Sequence, residues 1–366
     1  MNEHEKLYLK IKKYLLSIIS ENMETRDFKL PSENQLAMKF KASRVTVKKA
    51  VNELADEGYI ICFQGKGSFI NPDYKKLKTD SGFFVCFVLP DFSSPFFSRI
   101  AYGAFEYFMK NDVIMTIFHS DNNLDNEYKF LNNLNFSDYK GILIIPVRSD
   151  IYNKGLISLS LKNYPIVSID RDMYSIDVSS VKSNHYQMAY DATSYLIKNG
   201  HKDILFIHSD EQVSSIKDRI IGYKDALADN NIIPDKKLIK TFPFNVFKNA
   251  NNNALSKTEE ELEAILLAMQ NVSAIIILNS VLARNLSSKI TNAQRKIQMV
   301  LFDDNFPEHN HSFPPNTIII EQNAKSIGEK AAHMLMQKIR KNDNKTKVVN
   351  IKYVAKTVRG EIIDLL

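Results

Sequence analysis

The chain has 366 residues, of which 44% are hydrophobic and 25% charged, and it carries a net charge of +6. That length predicts two or three domains of a soluble globular protein. Two cysteines, Cys62 and Cys86, are too few for a disulfide framework and read as reduced thiols of a cytoplasmic protein. The charged start MNEHEKLYLK excludes a signal peptide, and the longest apolar runs, at 83–90 and 274–278, are strand-length and exclude a membrane-spanning helix.

The charge is unevenly placed. Residues 1–82 hold 15 Lys and Arg against 11 Asp and Glu, four of the six net positive charges. Within them Leu7, Ile11, Leu15, Ile18 and Ile19 recur at helical spacing, which predicts an opening amphipathic helix ending near Asn22. A second helix is predicted after Pro31, with Ser32 as cap, Glu33 at the positive end of the dipole and Leu36, Ala37 and Phe40 inward. A third starts at Ser43. Its stripe of Val47, Ala50, Val51 and Leu54 leaves Arg44, Thr46, Lys48 and Lys49 largely off the apolar face, and Gly58 suits its left-handed end. Two helices joined by a tight connection, the second presenting basic and hydroxyl side chains, form a helix-turn-helix. Such a helix fits the major groove, where Arg pairs with guanine while Lys and Ser or Thr hold phosphates.

Strand-like 59–63 and 68–70 follow, joined by Gln64-Gly65-Lys66-Gly67. This is a hairpin whose lysine-bearing tip, around Lys66, suits a wing on the DNA backbone or minor groove. The spacing is not that of a nucleotide-binding P-loop.

From about Lys6 to Ile70 the chain resembles the GntR-type winged helix. The resemblance rests on Leu30-Pro31-Ser32-Glu33, Leu36-Ala37, Phe40, Ser43-Arg44-x-Thr46-Val47, Lys49-Ala50, Leu54, Glu57-Gly58 and Gly65-x-Gly67-Ser68-Phe69. It implies DNA contacts from Asn34, Ser43, Arg44, Val45, Thr46, Lys48, Gln64 and Gly65, with double-stranded DNA as the partner. Asn34 stands where that family often has Arg.

Residues 71–82 are polar, contain Pro and Gly, and read as a linker. Beyond them strands are predicted at 83–89, 114–118, 141–145, 166–169, 204–208, 274–278, 298–302 and 317–320. Helices are predicted at 97–111, 126–134, 183–199, 213–230, 257–270 and 324–340. Continuous Val/Ile/Leu strands alternating with helices imply doubly wound parallel sheets, and their number implies two α/β lobes.

Ligands of such sheets sit beyond the carboxyl ends of strands. The residues there are Asp91, Phe96 and Phe97 after the first strand, Ser120 after the second, Arg148 after the third, and Asp170 and Arg171 after the fourth. Asn279 and Asp303 follow later strands. Carboxylates, Arg and Asn beside aromatic rings suit a neutral polyol.

The layout from about Phe83 to Gly360 resembles the LacI-type, periplasmic-binding-protein-like effector domain. Its anchors are Ser94-Pro95-Phe96-Phe97, Asp170-Arg171, Asn199-Gly200-His201, Arg219-x-x-Gly222-Tyr223 with Ala226-Leu227, Phe302-Asp303-Asp304, and Gln322 six residues before Gly328. The resemblance implies effector contacts from Arg219, Asn279 and Asp303, a homodimer on a palindromic operator, and lobes that exchange chain near 170, 321 and 352. Asn279-Ser280 departs from the usual Asn-Asp. A GntR-type reader on this sensor resembles the arabinose-responsive repressor group, which implies a sugar effector such as arabinose.

The expected organisation is therefore a winged helix-turn-helix over 1–70, a linker over 71–82 and a two-lobed effector and dimerisation domain over 83–366. No cofactor or metal is expected: His309 and His311 lack further ligands at metal spacing. An α/β enzyme acting on a sugar or nucleotide, with an accessory winged helix, is the competing reading. Neither a G-x-S-x-G elbow nor an H-E-x-x-H motif supports it. A constitutive DNA-binding protein with a degenerate sensor is a third, kept open by Ser280.

Overall fold

A computed structural model describes residues 3–22, 28–71, 83–134, 138–151, 154–174, 176–243, 260, 263, 271–278, 282–283, 287, 296–302, 313–341 and 345–365. Three helices open the chain: α1 (Glu3–Glu21), α2 (Glu33–Phe40) and α3 (Arg44–Asp56). Ile11, Leu15 and Ile19 of α1 meet Leu36 of α2 and Val47, Ala50 and Leu54 of α3 in one buried core. Both short helices are capped from the sequence. Ser32 and Gln35 form a reciprocal capping box, and the Ser43 hydroxyl accepts from the Thr46 amide at 3.2 Å. Helix α3 ends at Gly58, whose φ of 78° lets the Tyr59 amide reach the Leu54 carbonyl at 2.9 Å. An antiparallel wing follows, β1 (Ile60–Phe63) on β2 (Gly67–Ile70), with Phe63 opposite Gly67 across the tip.

The remaining strands form two sheets. The first has order β13-β7-β6-β5-β3-β4 and is parallel throughout: β3 (Phe84–Leu89), β4 (Ile114–His119), β5 (Tyr139–Ile144), β6 (Ile166–Ile169), β7 (Ser179–Ser183) and β13 (Val348–Ile351). The second is built on β8 (Ile204–Ser209), β9 (Ile239–Phe242), β10 (Ala274–Ile277), β11 (Gln298–Phe302) and β12 (Ile318–Glu321), all parallel. It is closed on one side by antiparallel β14 (Val354–Thr357) and β15 (Ile362–Ile363). Helices α4 (Pro95–Met109), α5 (Leu124–Asn133) and α6 (Lys154–Leu161) belong to the first lobe, and α7 (His185–Lys198) and α8 (Ser214–Asp229) to the second. Helix α9 (Ala324–Lys341) leaves the second sheet and packs back on α4 in the first lobe.

Two crossings are unusually close. A Cβ on Gly328 of α9 would lie 1.9 Å from the Ile100 carbonyl oxygen, and one on Gly103 of α4 would lie 2.1 Å from that of Lys325. Gly222 of α8 approaches the Tyr186 carbonyl of α7 equally closely, at 2.2 Å. Missing side chains here let helix backbones touch, so their apolar stripes bury fully.

The chain passes between lobes after Ser183, after Glu321 and after Ile351. The first passage corrects the expected position near 170. Strand β7, Ser-Ser-Val-Lys-Ser, still pairs with β6, and its three serines hid a strand that is nevertheless buried. Strands β9, β13, β14 and β15 and helix α6 were likewise unread. The helix predicted at 257–270 lies almost wholly outside the described residues.

Candidate DNA-reading face and effector cleft

On the winged helix, capping and core packing decide which side chains are left to read DNA. Arg44, Val45, Lys48 and Lys49 are exposed along α3, Val45 to 79%. Lys49 lies with its ammonium 4.9 Å from the Tyr8 ring, a partner it could exchange for a phosphate. Thr46 departs from expectation: it is buried, with its hydroxyl 2.8 Å from that of Ser43. Both hydroxyls are therefore engaged in the helix cap. Asn34 is exposed on the first turn of α2, and Gln64, Gly65 and Lys66 are exposed at the wing tip. Gly65 holds φ at 75°, and no atom lies within 4 Å of where its Cβ would stand, so a phosphate backbone has room to approach.

In the lobes, the carboxyl ends of both sheets converge. Asp170 follows β6, is buried, and holds φ at 62°. Burial alone would raise its carboxyl. The charge and hydrogen bond of His185, then the charges of Arg171 and Arg219, outweigh that and hold it below the ordinary carboxylate range. The His185 ring nitrogen Nε2 lies 2.9 Å from the Asp170 carbonyl and 3.3 Å from its Oδ1. Arg219, reaching in from α8, is buried with its guanidinium 4.6 Å from the Phe302 ring centre. Phe97 is buried and Phe96 half-buried beside it. Ser120, at the end of β4, is fully buried with a hydroxyl that has no hydrogen-bond partner among the described residues. Gln322 is buried where the chain leaves β12 for α9.

Three expected contacts turn out to be engaged within the protein. Asp91 accepts from the Ser93 amide and hydroxyl at 2.9 and 2.8 Å, which ties its own loop. Arg148 forks onto Asp150 at 3.0 and 2.8 Å on the rim. Arg171 donates to the Pro146 and Val147 carbonyls at 3.1 and 3.2 Å and to Glu211 of the other lobe at 3.1 Å. Most of its donors brace a loop and bridge the lobes. Asn279 and Asp303 lie outside the described residues.

The bridge extends beyond Arg171. The Ser149 amide donates to the Gln212 carbonyl at 3.0 Å, the Ser214 amide to the Ser149 hydroxyl at 2.9 Å, and the Asp172 amide to the Ser214 hydroxyl at 2.7 Å. His185, Glu211 and Ser214 were missed from the sequence. Glu211 follows β8 by two residues, so the carboxyl-end rule applied to that strand would have found it. Buried Glu127, which accepts the Val147 amide at 2.9 Å, carried no such signal. Among the described residues, no three His, Cys, Asp or Glu are placed to hold a metal, and no helix is long and apolar enough to cross a membrane.

Two α/β lobes meeting at a charged, aromatic-lined cleft, attached to a winged helix with an exposed basic face, define a small-molecule sensor joined to a DNA reader. The chain belongs to the periplasmic binding proteins and sugar binding domain of LacI family, which it matches over residues 83–359, and residues 7–70 match the bacterial regulatory proteins of the gntR family. It is a transcription regulator that combines these two parts. It is 25% identical over 347 residues to an arabinose metabolism transcriptional repressor of Geobacillus stearothermophilus, covering 91% of each chain. It is 25% identical over 311 residues to the ribose operon repressor of Bacillus subtilis (strain 168), covering 82% of this chain and 90% of the relative. In fold it is similar to the transcription regulator CcpA of Lactococcus lactis, with a TM-score of 0.63 at 21% identity over 76% of this chain and 98% of that one.

Proposed function

We propose that this chain is a cytoplasmic repressor whose hold on a palindromic operator is controlled by a sugar, with L-arabinose the first to test. The observation that carries this reading is the coupling of one exposed basic helix to a cleft that buries Asp170, Arg219 and Phe97 together. Paired carboxylate and guanidinium groups against aromatic rings match hydroxyls with donors and acceptors and C–H faces with apolar surface. The relatives that span both domains, named for arabinose metabolism, support the choice of sugar. Asp170, Arg219 and Gln322 are the proposed sugar-binding residues at the cleft floor, with Ser120 and Phe97 as walls. Asn279 and Asp303 stay in the proposal from their positions after β10 and β11.

Dimerisation fits one surface. Helix α4 exposes Tyr102, Phe105 and Met109 at helical spacing, and the neighbouring edge strand β4 exposes Ile114 and Ile117. This apolar face would meet the same face of a second copy about a two-fold axis, which matches a palindrome. Sedimentation velocity at micromolar concentration checks it, and a monomer would remove this part of the proposal.

The deciding experiment is an electrophoretic shift with the promoter of the chain's own gene neighbourhood, at fixed salt because phosphate contacts make affinity salt-dependent. Specific binding released by L-arabinose, but not by other pentoses, is the expected result. Binding that no sugar changes would leave a DNA-binding protein without this control. Within the same assay, Arg44→Ala is expected to weaken specific binding roughly 10- to 100-fold, the discrimination of one bidentate base contact. Its exposure at the start of α3 predicts no change in melting temperature. Equal affinity for operator and scrambled duplex in the wild type would refute the assignment of Arg44 to base reading.

A further inference from the structure

Helix α9 connects the two functional ends of the molecule. At its start, Gln322 lies buried beside the cleft; at its other end, Arg340 reaches out of the first lobe to the winged helix. The Arg340 Nη1 donates to the Glu57 carbonyl at 2.8 Å, while Nη2 lies 3.4 Å from Asn111 Oδ1 of its own lobe. Glu57 is the C-cap of α3, so the guanidinium sits on the negative end of that helix, where a cation is favoured. Gly58 completes the fit, since even a Cβ there would come to 3.4 Å from the Arg340 side chain. The sensor thus supplies a cap to the helix that reads DNA.

The position this contact enforces matters for DNA. Val45, Lys48 and Lys49 of α3 form one wall of a groove of about 970 Å³, and Ser326, Glu329 and His333 of α9 contribute to the other. A recognition helix enters a major groove about 12 Å wide and 8.5 Å deep, with a phosphate backbone on either side. A duplex seated on Lys48 and Lys49 would have to enter this groove, which α9 bounds on its far side. Glu329 faces that space with the same charge as a phosphate and Lys330 beside it with the opposite one, so the obstruction is steric rather than electrostatic.

We infer that Arg340 parks the winged helix against the sensor in a DNA-excluding position, held by its bond to the Glu57 carbonyl, and that operator binding requires this contact to break. Because α9 runs for 18 residues from cleft to dock, about 27 Å, it is a stiff strut between the two. The inference concerns regulation of the repressor proposed above and rests on that reading for its DNA arm only.

The test uses the full chain with Arg340→Gln. Without DNA, amide hydrogen exchange over residues 53–59 is expected to quicken several-fold as the cap is lost. With a duplex from the chain's own promoter, affinity is expected to rise roughly tenfold, about the low end of what a charge-assisted hydrogen bond can hold back. The melting temperature of the lobes is expected to stay within a degree or two of the wild type. Unchanged exchange, or DNA binding that is equal or weaker, overturns the parked state. If neither protein prefers its promoter over a scrambled duplex, the repressor reading fails, while exchange still decides the dock. Should Arg340→Gln lower the melting of the lobes, Arg340→Lys keeps the charge but lacks the fork, and an intermediate effect in both assays is then expected.

Discussion

Gly328→Ala is expected to destabilise the first lobe by about 3 kcal/mol or more, the upper part of the range for overpacked sites. Ala is the better helix former by about 1 kcal/mol, so the sign has to be argued. The added Cβ would meet the Ile100 carbonyl oxygen at 1.9 Å, its carbon at 2.8 Å and the Ala104 amide at 2.9 Å. All three are helix backbone, which cannot rotate away as a side chain can. Helices α4 and α9 must separate, and the contacts of Ile100, Ala104, Ile327 and Ala331 are loosened together. Contact therefore outweighs propensity. In thermal unfolding the expected fall is about 6 to 12 °C for a domain of this size. Lys330→Ala, exposed two residues along the same helix, should move the midpoint by no more than about 1 °C. An unchanged midpoint for Gly328→Ala would mean that the two helices are not in contact there.

The second large effect is expected at Asp170. Its carboxylate is the counter-charge for a buried set that includes Arg171, Arg219 and His185. Asp170→Asn keeps the shape and removes the charge, and breaking such a set costs about 3–5 kcal/mol because the partners stay buried. The pH dependence has a defined sign. The folded-state pKa lies below the ordinary value, so the carboxylate's contribution is complete above about pH 4 and lost as pH falls through the folded value. The stability difference between wild type and Asp170→Asn should therefore shrink as pH falls below about 4, where the wild type loses what the variant already lacks. A difference that grew as pH fell through that carboxylate range would contradict this assignment of charge. Loss of sugar binding by the variant is expected at every pH.

How much of this was legible depended on where polarity and burial coincide. The winged helix was readable because every local signal agreed: Ser32 and Ser43 cap, Gly58 ends a helix, and the apolar stripe of α3 faces one core. The parallel strands were readable wherever they are continuously aliphatic, as in β3, β8 and β10. Strand β7 was not, because a buried serine strand looks like a loop. Thr46 was misplaced because a hydroxyl that joins a helix cap becomes part of the interior. The cleft was legible as positions after strands but not as roles. Arg171 reads as a ligand contact from its position, but its Nη1 and Nη2 atoms also hold Pro146, Val147 and Glu211, a use that only three-dimensional proximity reveals. His185 reaches Asp170 from the start of α7, across a turn no periodicity marks.

The three passages between lobes also set an order of events during synthesis. The winged helix is complete once residue 70 has emerged, and all its core partners lie within that stretch. The first lobe is not so placed. The buried face of α4, around Gly103 and Ala104, waits for α9, and β7 waits for β13 at 348–351. At bacterial rates of about 5–20 residues per second, the interval between α4 and α9 leaving the ribosome is roughly 10–50 s. During that time a finished DNA reader is tethered to a lobe with an open apolar groove. Newly made chains therefore expose that apolar groove for longer than a lobe built from one continuous stretch of chain would.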